Sequence, residues 1–114
     1  MSLTKSLGHS AFLELFGENP LNNILDFLVV FDQFDYSMAD LASQADVGYS
    51  TLKELLPELV QKKIIIQTRI SGKSAMYKLN KKNPMVKKFA LFYWDLVSQS
   101  PSSELPQKKI AVPA

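Results

Sequence analysis

The sequence predicts an α+β fold, mainly α with a small β-hairpin, and three features carry that expectation. From Phe12 to Leu59 large apolar residues recur at spacings of three and four, the period of amphipathic helices. Between Ile64 and Leu79 the period changes to two, and Gly72-Lys73 divides this alternating stretch as a hairpin requires. A length of 114 residues with 46% hydrophobic content suits one compact domain with a modest core. We therefore expect a single domain over residues 1–98, its centre at 19–80, with 99–114 as a mobile tail.

The opening segment "LTKSLGHSAFLELFG" reads as a short helix with Leu7, Phe12, Leu15 and Phe16 as its apolar positions and Gly17 as its stop. Asn19 then Pro20 supplies a cap and a residue preorganised for the first helical position, after which Leu21, Ile24, Leu25, Leu28 and Phe31 give a second helix its core face. The polar turn "DQFDY" leads to Ser37, which makes a capping-box-like start for "MADLASQA" with Asp40 three residues on. A turn at Asp46 to Gly48 follows, and the next helix carries Leu52, Leu55, Leu56 and Leu59 as one stripe. Its other side holds Tyr49, Ser50, Lys53, Glu54, Pro57 and Glu58, where solubility alone would select neither an aromatic nor a proline. Pro57 deletes the amide bond to Lys53, so a kink or an early loosening is expected there, at a typical cost of about 3 kcal/mol.

In the alternating stretch, Gly72 sits at the first central position of a type II′ turn. Pairing Ser71 with Ser74 then sets Ile70 beside Ala75, Thr68 beside Tyr77 and Ile66 beside Leu79, leaving Gln67, Arg69, Met76 and Lys78 on the other face. Pro84 opens a final helix, "MVKKFALFYWDLVSQ", running to about Ser98. The Pro- and Ser-rich "SPSSELPQKKIAVPA" has no periodicity and reads as the tail.

Helix, short helix, tight turn, helix and glycine-tipped hairpin is the order of a winged helix. The residues "LASQADVGYSTLKELLPELVQKKII" and "RISGKSAMYKLN" resemble the winged helix-turn-helix transcriptional regulators, the broad group that includes the MarR-like and ArsR-like repressors. The matching positions lie between Asn19 and Asn80: Leu41-Ala42, Ala45 and Val47 around the turn, Thr51-Leu52 entering the second helix, and Tyr77, Leu79 and Asn80 closing the wing. Independently, Ala42 and Ala45 are small where two helices must cross closely, and Val47 can plug the gap after the turn.

The resemblance implies a homodimeric, sequence-specific binder of double-stranded DNA. The second helix of the motif would enter the major groove, with Tyr49, Ser50, Thr51 and Lys53 at its reading end; Thr51 has the alternative of a local hydrogen bond. Arg69, Lys73 and Lys78 around the wing would meet the phosphate backbone or the minor groove. The plainer reading of the wing is a solvated hairpin whose charges prevent edge pairing. A protein–protein interaction module in a transcription or replication assembly is the second reading, because this helix has no Arg for bidentate guanine contact and carries Glu54 and Glu58.

The net charge of +2 hides an asymmetry. Residues 1–60 hold two lysines against nine acids, while residues 61–114 hold eleven Lys or Arg against two acids. Between Lys62 and Lys88 no acid occurs, which points to a polyanion or an acidic protein surface. The segment "FALFYW", residues 89–94, is apolar on every side, although a helix on one domain needs only a stripe. The resemblance implies that flanking helices build a two-fold dimer, so we expect Phe12, Phe16, Phe89, Phe92, Tyr93 and Trp94 to be covered there; the alternative is a helix fully buried in the core of the single chain. Met85 and these aromatics also offer a lining for a small-molecule effector.

Other classes find little support. Cysteine is absent, which removes disulfides, thiolate metal sites and cysteine nucleophiles. His9 is the single histidine, near an expected flexible end, and neither a glycine-rich phosphate loop nor a carboxylate–histidine pairing occurs. A non-enzyme without metal or cofactor is expected. "ILDFLVVF" is far short of the roughly 18 apolar residues of a membrane span, and no export signal opens the chain, so we expect a cytoplasmic protein without membrane attachment.

Overall fold

The computed structural model describes residues 10–99. Leu7, His9 and the stretch 100–114 lie outside the described residues, and so do the expectations placed on them. The order is α1 (Ala11–Phe16), α2 (Pro20–Val30), β1 (Tyr36–Ser37), α3 (Met38–Ala45), α4 (Tyr49–Gln61), β2 (Ile65–Ser71), β3 (Ser74–Leu79) and α5 (Pro84–Gln99). No helix among the described residues is long and apolar enough to cross a membrane.

The helix starts follow the capping chemistry. Ser10 Oγ accepts the Leu13 amide at 3.0 Å, Asn19 Oδ1 the Asn22 amide at 2.8 Å and Ser37 Oγ the Asp40 amide at 3.1 Å. The turn between α3 and α4 is closed from within: Asp46 takes a left-handed conformation (φ 62°, ψ 48°), its amide donates to Ala42 and Ser43 oxygens, and the Val47 amide reaches Ala42 O at 2.9 Å. That geometry turns the Val47 side chain into the core between the helices.

α4 runs unbroken through Pro57 to Gln61, so neither a break nor an early end occurs there. Pro57 and Lys53 are both exposed, which leaves the carbonyl that loses its amide partner on the wet side of the helix. α4 ends in a second left-handed turn: the Ile64 amide bonds Leu59 O and the Lys63 amide bonds Val60 O, each at 3.0 Å, with Lys63 at φ 62°. A lysine is strained at this position, where glycine would not be. Lys63→Gly is therefore expected to raise stability by roughly 0.5–1 kcal/mol. A urea midpoint that fails to rise would refute it.

Three antiparallel strands form the sheet in the order β1-β3-β2. β1 was not legible: Tyr36 and Ser37, read as turn and cap, pair with Tyr77 and Met76. The hairpin tip keeps the expected partners Ser71 with Ser74 and Ile70 with Ala75. Positive φ is confined to Gly72 within the turn, as type II′ requires. Further in, the register departs from expectation, because Arg69 pairs with Met76 but Gln67 pairs with Tyr77, leaving Thr68 as an extra residue in a bulge. Past the bulge Ile65, not Ile66, stands opposite Leu79, and these two are the buried pair.

The core is built from Ile24, Phe27 and Leu28 of α2, Leu41, Ala42 and Ala45 of α3, Leu52, Leu56 and Leu59 of α4, and Ile65 and Leu79 of the sheet. α2 departs from its expected stripe: Leu21 is exposed, whereas Asp26, Phe27 and Val29 are buried, because α1, α3 and α5 cover it on several sides. In α1 the buried residues are Phe12 and Leu13, while Leu15 and Phe16 face outward. α5 buries Val86 and Tyr93 and half-buries Phe89, Leu96 and Val97, so its inner side is a normal stripe.

Candidate nucleic-acid interface

Two elements bring the expected contact residues to the surface. α4 follows the N-cap Gly48, which has no side chain of its own to accept from the first-turn amides, and no acid lies in that turn. Tyr49 (50% exposed), Ser50 and Lys53 project from it, while Thr51 is half-buried and turned toward the helix entry. The hairpin presents Lys73 fully outward at its tip, with Lys78 half-buried on β3.

Between α4 and the sheet runs an open groove of about 540 Å³, floored by Met38, Leu56, Val60 and Tyr77 and rimmed by Lys53, Pro57 and Gln67. Pro57 therefore has a place: it is a wall of this groove.

Arg69 is placed differently from Lys73. Its Nε and Nη2 donate to the two oxygens of Asp35 at 2.9 and 3.1 Å, and the Thr68 hydroxyl donates to the same carboxylate at 2.5 Å. The bulge at Thr68 makes this possible by putting two consecutive side chains on the edge that meets the α2–β1 loop. These hydrogen bonds hold the Asp35 carboxyl down to about 2, with the Arg69 guanidinium as the main cause, and they raise the Arg69 guanidinium in turn. The clasp is in place throughout the neutral range; it is lost only as pH falls through about 2. It ties the wing to the body, while more than half of the Arg69 side chain stays exposed. Asp35 gave no signal in the sequence, since its partner is 34 residues away.

The acids of α4 are also partly accounted for, because Glu58 pairs with Lys62 at 2.8 Å, one turn on. Glu54 remains exposed beside Lys53 and Ser50. At the base of the hairpin the Asn80 and Asn83 amides both donate to the Lys63 carbonyl, at 2.9 and 3.0 Å, fixing where α5 leaves the wing.

The six aromatics assigned to dimerisation divide between core and surface. Phe12 (4% exposed) and Tyr93 (1%) belong to the interior of the single chain, and Phe89 packs edge-on against Phe12 with ring centroids 5.4 Å apart. Phe16 and Phe92 touch at 5.9 Å and are exposed, as is Trp94. Leu15 and Leu91 are exposed as well. Among the described residues no group of three or more His, Cys, Asp or Glu is arranged to hold a metal ion.

Comparison with solved structures finds ZitR of Lactococcus lactis, as a mutant in apo form, at a TM-score of 0.55 and 20% identity, covering 86% of this chain and 77% of that one. The chain has the winged-helix fold. In that frame α3 and α4 are the helix-turn-helix, β2 and β3 the wing, and α1 and α5 the flanking helices. No protein-family model matches the sequence, and no curated protein does so.

Proposed function

We propose that the protein is a sequence-specific, DNA-binding transcriptional regulator acting in the cytoplasm as a homodimer. The observation that carries this reading is the start of α4, entered through a glycine cap, free of acids in its first turn and presenting Tyr49, Ser50 and Lys53 to solvent. In a helix-turn-helix this end meets base edges in the major groove, and the amides of a helix start suit a phosphate. Lys73 at the wing tip supplies a backbone contact, Lys78 a weaker one, and Arg69 adds its exposed part from a fixed orientation. The exposed surface of Leu15, Phe16, Leu91, Phe92 and Trp94 is the part of α1 and α5 that a second copy would cover.

Titrating the protein against random duplex at several salt concentrations tests the reading. Binding should fall steeply with salt, and Lys73→Ala should flatten the slope of log K against log salt by about 0.9 for each phosphate it no longer neutralises. An unchanged slope removes the wing tip from the interface. The second reading, a winged-helix protein-interaction module, is favoured by the exposed Glu54 on the reading helix and by the partial neutralisation of Arg69 through Asp35. It expects negligible duplex affinity even at low salt.

A further inference from the structure

Asp26 lies in the middle of α2 with 0% of its surface exposed, in the seam where α1 and α5 close against that helix. One of its oxygens is well served: Oδ1 accepts the Ser10 hydroxyl at 2.6 Å and the Tyr93 phenol at 2.7 Å, so the cap of α1 and the centre of α5 meet on it. The other is not. Oδ2 is buried without a hydrogen-bond partner, and so is Oδ1 of Asn23, one turn earlier on the same side of α2. Two acceptors, neither with a donor, thus lie one turn apart on the same helix.

The charged and titratable groups around this seam do not favour a carboxylate. Tyr93 from α5 and Ser10 from the start of α1 are neutral, Glu18 from the α1–α2 turn acts on Asp26 with like sign, and α3, α4 and the sheet direct no cation at it among the described residues. A carboxylate removed from water, with two neutral donors on one oxygen and none on the other, is strongly disfavoured. A single proton on Oδ2 removes the charge and gives both orphan acceptors a partner.

We infer that Asp26 is carried as the neutral acid, its Oδ2–H donating to Asn23 Oδ1, and that this proton is the clasp by which α1 and α5 close on the winged-helix core. Burial pushes the Asp26 carboxyl up, against the two hydrogen bonds that lower it, and the Tyr93 phenol is raised as well. The folded chain keeps a proton that the unfolded chain gives up above about pH 4, so the contribution of the clasp is complete below that pH and declines as pH rises through the folded value. The clasp is independent of DNA binding, and it bears on the proposed homodimer only in that the outer faces of α1 and α5 move with it.

Asp26→Asn is the informative variant, because its amide donates where Oδ2–H does while keeping the acceptor toward Ser10 and Tyr93. The carboxyl carbon of Asp26 in the unmodified protein, followed by NMR, should stay at the position of a neutral acid through neutral pH. The Asp26→Asn protein should melt at or above the parent at pH 8, with the difference shrinking toward pH 4. Amide exchange, corrected for intrinsic rates, should quicken in α1 and α5 relative to α4 as the parent is taken alkaline, and should not do so in Asp26→Asn. A carboxyl that titrates below neutral pH overturns the inference, and would mean that the Asn23 amide is turned to donate to an ionised Asp26. Exchange in α1 and α5 that tracks α4 at every pH overturns the clasp. The carboxyl resonance is read on the parent protein, so a failure of the variant to fold leaves that part of the test decisive.

Discussion

Leu52→Ala should destabilise the protein by about 3 kcal/mol, whereas Ser50→Ala and Lys53→Ala, two residues before it and one after, should leave its melting temperature almost unchanged. Leu52 has no exposed surface and fills the space between α4 and the body, so truncation leaves a cavity that neighbouring helices cannot fully close. Ser50 and Lys53 project into solvent from the same turns. Their expected effect is on base preference instead: selection of sites from a random duplex pool should show discrimination relaxed by roughly 1–3 kcal/mol at particular base pairs. Tyr49 stands between the two behaviours, since half of its surface is covered. If the surface variants select the same sites with the same stringency, bases are read elsewhere. If the parent selects nothing, the protein-interaction module becomes the better reading.

Phe92→Glu combined with Trp94→Glu should convert a dimer into a folded monomer, read by sedimentation with circular dichroism unchanged. Both side chains are more than two-fifths exposed, so a charge there costs the single chain little, while at the centre of an apolar interface it would be left unpaired. The same substitution at Tyr93 would not discriminate, because Tyr93 is interior and bonded to Asp26, and its loss would unfold the flanking helices. A parent that sediments as a monomer at high concentration would remove the homodimer from the proposal. A dimer that survives the double substitution would place its interface outside the α1–α5 surface.

Helix positions were legible because their causes are local. Asn19-Pro20, Ser37 with Asp40 and the Asp46–Gly48 turn each act through hydrogen bonds or backbone preferences within a few residues, and each helix begins where these signals stand. The stripe of α4 was equally plain, since Leu52, Leu56 and Leu59 are buried as the spacing requires, with Leu55 half-buried at its margin. The outward position of Tyr49, Ser50 and Lys53 follows from that stripe.

Where a feature depended on what meets what across the fold, periodicity had no hold on it. Strict alternation put Ile66 opposite Leu79, but the extra residue at Thr68 moved Ile65 there, and a period of two reverses its faces with a shift of one. Arg69 was expected as a wing cation, but Asp35 from a distant loop fills its fork, and Ser10 and Tyr93 close on Asp26 from α1 and α5. "FALFYW" looked apolar all round, yet α1 and α2 take one side and leave Phe92 and Trp94 outside. The elements, their order and the outward face of α4 were thus written in the chain itself, because caps, turns and helical stripes are short-range physics. Strand register, the pairing of Arg69 and the burial of Asp26 arose only on folding, because they turn on charges and side chains brought together from distant parts of the chain.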